Sequence, residues 1–436
     1  MPYSLLILLI GAIMSLFFGL YLLKTLNALI IEKNDSEQAS NLILDGIKTF
    51  GLRSGSAIIQ LILYTSLVLL ILSQAFEKPF SWLQIGAFFM GGFAMCISLV
   101  FVIGIVPKMI HKIIHKSKGY LTEGLHSQFD TVSMIGFLIV SIVILGAITC
   151  YLLLGKHAII GYLLGIIFSS FFLTIGGSLF KAGSDIGSTL SSELDSHLPH
   201  NDVRNPGTLL DISGDYIGNL IGFCADIIGS FAMSIASTLI FAEALMNIRL
   251  INEKTATKLI QLPLLIIALS FLASIISYFI CKARISNRKY NNFLLEGLYA
   301  SIIICGVGTY LIIQYLDIHI KSNAIWGGVS HFMPFFAYMV GLIGVIIISF
   351  TSEILTSHRY KPSRKLAALA EFGNTLTSIS ALSSGLMSNA LYLIYILSIL
   401  IGSFFFAGFY GICMASLGML SATMFIIIIN SFNSID

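Results

Sequence analysis

The stretch A-I-I-G-Y-L-L-G-I-I-F-S-S-F-F-L-T-I-G-G-S-L-F, from Ala158 to Phe180, decides the fold class of this chain. It contains no charged residue over its 23 positions. A helix of that length measures about 34 Å, which is enough to cross the ~30 Å hydrocarbon core of a bilayer. The stretch therefore predicts a transmembrane helix.

Ten further stretches on either side share this length and apolar character, so the sequence predicts about eleven spans. They are Leu5–Leu23, Ala57–Phe76, Trp82–Val106, Val132–Leu154, Gly218–Leu245, Leu262–Cys281, Leu294–Leu316, Val329–Thr351, Leu391–Phe409 and Tyr410–Asn430. The first lacks a basic segment before it and an A-x-A site after it, so we expect a retained span rather than a cleaved signal.

The composition supports the same class. Hydrophobic residues make up 57% of the chain and charged residues 10%, against about 25% charged in soluble domains. This excludes a soluble enzyme. Because lipid offers the backbone no hydrogen-bond partner and no barrel-type alternation is visible, we expect an all-α polytopic bundle. We treat residues 1–436 as a single membrane-embedded domain.

The distribution of basic residues predicts the orientation. The odd-numbered connections hold 18 of the 24 Lys and Arg residues, and such a bias places them in the cytoplasm. The N-terminus is then outside and the C-terminus cytoplasmic. Residues 181–217 become a cytoplasmic acidic motif loop. Residues 353–390 become a cytoplasmic loop and an extension of the next helix, because 367–390 is too polar for a span. A net charge of +3 excludes nucleic acid as a main partner.

Acidic residues concentrate at the cytoplasmic ends of the fifth and sixth spans. Seven of the 21 lie within 42 positions: Asp185, Glu193, Asp195, Asp202, Asp211, Asp215 and Asp226. Asp211, Asp215 and Asn219 follow one another at i, i+4, so they share one helix face. Facing carboxylates usually need a cation, and Mg²⁺ bridging to a phosphate is a common solution. A solvated acidic loop is the alternative. Asp226 lies deeper in the apolar run, where an ionisable group indicates function.

These residues resemble the membrane-bound inorganic pyrophosphatases, which are pyrophosphate-energised proton or sodium pumps. The resemblance rests on motifs that follow the family's order along most of the chain. They are I-G-G-S-L-F-K-A-G-S-D-I-G-S-T (Ile175–Thr189), P-H-N-D-V-R-N-P (Pro199–Pro206), D-I-S-G-D-Y-I-G-N (Asp211–Asn219), G-F-C-A-D-I-I-G-S (Gly222–Ser230), Y-K-P-S-R-K (Tyr360–Lys365), Y-G-I-C-M-A-S-L-G-M-L-S (Tyr410–Ser421) and I-N-S-F-N-S-I-D (Ile429–Asp436).

The resemblance implies a site for pyrophosphate and Mg²⁺, with several positions changed. The family's pyrophosphate-contacting lysine falls on Ala182, with Lys181 one residue away, and a family aspartate falls on Thr189. A family lysine falls on Glu193, which reverses the charge. The substrate- and metal-binding positions that it implies are Asp185, Thr189, Asp195, Asp202, Asp211, Asp215 and Asp436.

The catalytic positions implied by the resemblance are Asp215, Asn219 and Ala182. The family is understood to hold the attacking water between two aspartates, and Asn219 stands at one of them. An amide can hold a water but cannot accept its proton at neutral pH. The second aspartate belongs to a later helix, and this sequence ends at Asp436, where the next family motif should begin.

The resemblance also implies an ion gate below the site. Thr174 stands in place of the family's arginine, Asp226 retains the aspartate and Met233 replaces a glutamate. A buried aspartate without a cation partner should be protonated.

Two functions are therefore expected. One is a pump that couples hydrolysis of inorganic pyrophosphate, with Mg²⁺, to proton or sodium transport; this chain alone would be impaired or inactive. The other is a non-catalytic membrane homologue, or one half of a split pump whose remaining helices come from a separate chain. The resemblance implies a homodimer, and we expect the cytoplasmic membrane of a bacterium.

Overall fold

A computed structural model describes residues 3–27, 36–75, 81–117, 120–155, 157–194, 206–247, 253–286, 293–317 and 332–433. Within these residues every regular element is helical, as the sequence predicts. The helices are α1 (Tyr3–Asn27), α2 (Ser36–Ala75), α3 (Trp82–Ser117), α4 (Leu121–Leu154), α5 (Ala158–Leu194), α6 (Pro206–Asp215), α7 (Phe223–Asn247), α8 (Glu253–Ser286), α9 (Phe293–Leu316), α10 (Met333–Thr356), α11 (Lys361–Leu369), α12 (Asn374–Met419) and α13 (Thr423–Asn433).

The prediction of a polytopic bundle is confirmed. In the described part of the chain, nine helices are long and apolar enough to cross a membrane. Two shorter apolar helical segments, Trp82–Ser98 and Thr423–Phe432, accompany them. The number of candidate spans is therefore nine to eleven. The sixth predicted span is longer than expected, because α6, a π-helical turn over Tyr216–Gly222 and α7 form one continuous helical rod.

The boundary predicted between the last two spans coincides with a break inside α12. Ala407 and Gly408 leave the helical conformation, and Gly408 has a φ of 59°. Glycine tolerates this left-handed region, whereas a side chain would be strained there. The chain before the break is helical from Asn374, so the segment 374–390 does continue into the next helix.

Contacts divide the chain into two compact units. Unit 1 comprises Met1–Ile240, Leu264–Cys305 and Ala422–Asp436, and unit 2 comprises Phe241–Pro263 and Gly306–Ser421. In unit 1, α4 packs against α1, α3 and α13, and α5 packs against α3 and α6. In unit 2, α10 packs along α12, with Gly341 against the carbonyl of Ala415 and Gly418 against that of Tyr338. The acidic motifs belong to unit 1.

Candidate functional site

An antiparallel contact between α5 and the α6–α7 rod organises the acidic motifs. At each step along the contact, a glycine on one helix faces a residue of the other. The facing pairs are Gly187 with Leu210, Ser184 with Gly214, Lys181 with Gly218, Gly177 with Gly222 and Ser170 with Gly229. Glycines let two helix backbones approach closely, so this register fixes how the acidic rows are presented.

The predicted site residues occupy the positions just after these contact positions. Ala182 and Asp185 follow Lys181 and Ser184 on α5, and Asp211 and Asp215 follow Leu210 and Gly214 on α6. A step of one residue turns an α-helix by about 100°. When two helices run antiparallel and face each other, a step of one residue along either helix turns toward the same side of the contact. The two rows therefore border the same side of the α5–α6 contact.

Exposure agrees with this placement. On α5 the contact residue Ser184 is buried, as is Ser188 one turn further on, while Ala182, Asp185 and Thr189 are exposed. Thr189 is tied to its own helix, because its hydroxyl donates to the backbone oxygen of Asp185 at 2.8 Å. The α5 row thus presents a carboxylate on an open surface.

Lys181 reaches the acidic row from the neighbouring helix. Its Nζ lies 2.8 Å from Oδ1 of Asp215, and the two side chains are 32% and 44% exposed. Lys181 stands one residue from Ala182, on the contact face of α5, and its side chain extends from there to the acidic row. Gly218 leaves room for the side chain, since a Cβ there would lie 2.6 Å from Cβ of Lys181. The glycine at 218 was the available sequence signal.

Asp211 and Asp215 are both half-buried on α6, one turn apart, in the i, i+4 arrangement that the sequence predicts. The row does not continue as a regular α-helix, because the π-helical turn begins at Tyr216 and includes Asn219. Such turns insert an extra residue and often occur at functional sites. The side chain of Asn219 lies outside the described residues, as do Asp195, Asp202 and Asp436.

The three predicted gate positions lie on two different helix faces. Thr174 faces α7, and its hydroxyl donates to the backbone oxygens of Ser170 at 2.9 Å and Gly222 at 3.2 Å. Asp226 and Met233 lie two turns apart on an exposed face of α7. Neighbouring helices therefore do not cover Asp226, which lies beside the contact positions Gly222 and Gly229 and not at one of them.

The carboxylate oxygens of the site are suitable ligands for a magnesium ion that is bound to a phosphate. Among the described residues, no three His, Cys, Asp or Glu side chains gather closely enough to form a metal cage. Mg²⁺ does not need one, because it usually binds through one or two carboxylates together with waters and substrate phosphates. Asp185 and Asp211 supply hard carboxylate oxygens of this kind.

A second polar cluster, which the sequence did not reveal, joins α4 to α8. The Tyr278 hydroxyl donates to Oδ1 of Asp130 at 2.6 Å, and Nζ of Lys282 lies 3.0 and 2.9 Å from the two carboxylate oxygens. Nearby, Arg284 pairs with Glu296 on α9 at 2.7 Å. Asp130 and Lys282 each lie just beyond a predicted span, which was the only available signal.

The fold and this site together define a class: a polytopic helical membrane protein with an acidic row and a lysine at one helix contact. Comparison with known proteins narrows the class. The family model described as inorganic H+ pyrophosphatase matches residues 13–436. The chain belongs to this family.

Three relatives illustrate the similarity. The chain is 23% identical over 98% of its length to the K(+)-insensitive pyrophosphate-energized proton pump 2 of Moorella thermoacetica. It is 24% identical over 92% of its length to the K(+)-insensitive pyrophosphate-energized proton pump of Caldanaerobacter subterraneus. It is 26% identical over 80% of its length to the putative K(+)-stimulated pyrophosphate-energized sodium pump of Bacteroides thetaiotaomicron. The matches span 62%, 59% and 50% of those relatives.

Proposed function

We propose that this protein acts as an ion pump of the membrane pyrophosphatase type. It binds Mg²⁺ and pyrophosphate at the side of the α5–α6 contact, and hydrolysis of the pyrophosphate drives movement of a proton or sodium ion past Asp226. The observation that supports this most directly is the antiparallel register that brings the acidic rows of α5 and α6 to one side, beside Lys181. The relatives, which are named as pyrophosphate-energized proton and sodium pumps, support the choice of ligand and ions.

Lys181 provides the site's cation in this proposal, in place of the lysine that the family resemblance puts at 182. Its ion pair with Asp215 is partly exposed, and such pairs contribute only about 0.2–1 kcal/mol. A phosphate group could therefore replace Asp215 as the partner of the Lys181 ammonium group at little cost in free energy. Asp215 would then be released to a phosphate-bound Mg²⁺.

Mg²⁺, when bound, would neutralise phosphate charge and polarise the phosphorus–oxygen bonds. The chain's own residues bind and orient the ligand. Asp185, Asp211 and Asp215 would hold the magnesium-bound face, and Lys181 would bind a free phosphate oxygen. Asp195, Asp202 and Asp436 are proposed as further ligands by resemblance alone.

Hydrolysis by this chain alone is proposed to be impaired. Asn219 can orient a water through its amide but cannot take the proton, and Ala182 cannot bind a phosphate. Loss of a positioned base typically costs a factor of 10²–10⁴ in rate. If binding persists and even the carboxylate of Asn219→Asp gives no turnover, the protein is the non-catalytic homologue that is the second candidate.

Three finer statements rest only on resemblance and remain proposals. They are a homodimer, a separate chain that carries further helices, and a bacterial cytoplasmic membrane as the location.

Binding and hydrolysis should be measured separately on the full chain reconstituted in lipid nanodiscs. We expect pyrophosphate binding by calorimetry that requires Mg²⁺, with no phosphate release above a nanodisc blank. Asp215→Asn and Lys181→Met should each weaken binding about tenfold or more, because each removes a charged contact. Glu371→Gln and Lys254→Met, which alter exposed charges elsewhere, should leave it unchanged.

Asn219→Asp tests the proposed cause of the impairment. A carboxylate at this position can act as a base, so phosphate release should rise above the blank, while Asn374→Asp should stay at the blank. Absence of any Mg²⁺-dependent binding by the unmodified chain would refute the proposed function. Clear phosphate release by the unmodified chain would refute only the impairment.

A further inference from the structure

The short helix α11 carries a compact cluster of positive charge between two apolar helices of unit 2. Arg359, Lys361, Arg364 and Lys365 lie within seven residues, and no acidic residue occurs between Glu353 and Glu371. Lys361, Arg364 and Lys365 stand at i, i+3 and i+4, so they share one face of α11. All four cations are exposed.

The cationic face of α11 points away from the neighbouring helices. Leu366 and Leu369, which lie on a different face of α11, are half-buried. With Pro362, the three lysine and arginine side chains of α11 line a shallow open depression on the surface. The charge is therefore available to a ligand.

Hydrogen bonds fix α11 next to the end of α10. The Ser363 hydroxyl donates to the backbone oxygen of Thr356, the last residue of α10, at 3.0 Å. Nε of Arg364 donates to the backbone oxygen of His358 at 2.9 Å. At the far end of α11, the Thr377 hydroxyl donates to the backbone oxygen of Leu369 at 3.3 Å. The cations thus have a defined place relative to α10.

This position puts the α11 cations at the level of the lipid headgroups. α10 contains 24 residues, about 36 Å of helix, which is close to the thickness of the hydrocarbon core. Its end at Thr356 therefore falls near a bilayer boundary. Clusters of four or more Lys and Arg residues next to a spanning helix attract anionic lipid headgroups.

Exposed leucines of α12 lie toward the end of α10 at which the cations begin. The Thr351 hydroxyl lies 3.5 Å from that of Tyr395, which aligns this part of α12 with the last turns of α10. Leu393 and Leu386, which lie two and nine residues before Tyr395 on α12, are 61% and 64% exposed. A soluble anion would contact only the cations. A phospholipid would contact the cations with its headgroup and the leucines of α12 with its acyl chains.

We propose that Arg359, Lys361, Arg364 and Lys365 form a binding site for the headgroup of an anionic phospholipid, whose acyl chains lie along the exposed leucines of α12. The charge complements a phosphodiester, and the exposed leucines complement the tails. This site is separate from the acidic motifs and does not depend on the proposed pump function.

The test uses the full chain, delipidated in detergent and titrated with phosphatidylglycerol or phosphatidylcholine, with bound lipids counted by native mass spectrometry. Each juxtamembrane cation contributes about fivefold to attraction of anionic lipid, so we expect a phosphatidylglycerol preference of at least about fivefold. The variant K361Q/R364Q/K365Q should reduce this preference to about one. The charge-matched control K48Q/R53Q/K254Q, which removes exposed cations of α2 and α8, should retain it.

Two further measurements separate charge from folding. The charge-retaining variant K361R/R364K/K365R should keep the preference. Raising ammonium acetate to about 1 M, where the screening length is about 3 Å, should abolish it in the unmodified chain. The proposal is overturned if the unmodified chain shows no preference, if the neutral α11 variant keeps it, or if the control loses as much.

Discussion

Gly218 and Lys181 show how one missing side chain shapes the candidate site. A methyl group at 218 would lie 2.6 Å from Cβ and 2.9 Å from Cδ of Lys181. The Cδ could move aside, but the Cβ is fixed to the α5 backbone. The helices would have to separate, and the lysine would lose its path to Asp215.

We therefore expect Gly218→Ala to destabilise the protein by about 1–3 kcal/mol, the usual cost of overpacking. Gly183→Ala is the matched control, because that glycine lies on α5 with open space around it and should gain about 0.5–1 kcal/mol from helix propensity. All six cysteines are buried, so a thiol-reactive dye reports unfolding on heating. Equal melting temperatures for the two variants would contradict the expected clash.

The candidate site could be predicted from the sequence only in part. The i, i+4 spacing of Asp211 and Asp215 predicts their shared face, because helical periodicity is local. The pairing of Lys181 with Asp215 depends on the register between two helices, which the sequence does not encode in any local spacing. The exposure of Asp226 likewise depends on tertiary packing, because the glycines determine which face of α7 packs against α5.

The contact between α3 and α5 depends on glycines in the same way at the scale of whole helices. Gly161 and Gly165 lie directly against the backbone oxygens of Gln84 and Phe88 on α3. Tyr162, on the turn between them, donates its hydroxyl to the backbone oxygen of Val143 on α4 at 3.0 Å. The three helices are thus held together at one level.

Gly165→Leu should force α3 and α5 apart and lower the melting temperature by several degrees, since overpacking costs about 1–3 kcal/mol or more. Gly86→Leu places the same side chain on the open face of α3 and should change little. The dye assay used for Gly218 measures both. A small effect at 165 would show that the helices tolerate wider separation.

The Asp130 cluster gives a second prediction about helix association. Asp130 is 15% exposed, whereas both partners of the Arg284–Glu296 pair are 41% exposed. Removing one partner of a shielded pair leaves a charge poorly solvated, so Lys282→Met should cost about 1–3 kcal/mol. Arg284→Gln should cost under about 1 kcal/mol, because exposed pairs contribute little.

A double-mutant cycle checks the assignment of this effect. Once Asp130→Asn has removed the carboxylate, Lys282→Met should cost much less than it does alone. If the two changes are additive, Lys282 stabilises the protein through something other than its pair with Asp130. Urea midpoints of the four proteins supply the comparison.

The presence of helices was easier to predict from the sequence than their boundaries and irregular turns. Long apolar runs such as Ala158–Phe180 require a helix in lipid, so nearly every predicted span has a helix over it. The π-helical turn and the extension of α6 back to Pro206 could not be foreseen, because Gly-rich polar segments are compatible with several backbone forms. The break at Gly408 was placed nearly correctly, at the boundary between two apolar runs.

For the whole molecule, the distribution of basic residues predicts an orientation that cysteine labelling can measure. The bias of basic residues predicts that the α10–α11 connection is cytoplasmic and that the α7–α8 connection faces the other side. His358 lies in the first and Glu253 begins α8 after the second, and both are exposed. Each can therefore carry a reporter cysteine.

We expect His358→Cys to react with a membrane-impermeant maleimide only in inside-out vesicles, and Glu253→Cys only in right-side-out vesicles. The background should be low, because the six native cysteines are buried. If both variants react in the same vesicles, the number of crossings between residues 253 and 358 is even. Such a result would rule out three spans in α8, α9 and α10, and with them the predicted orientation.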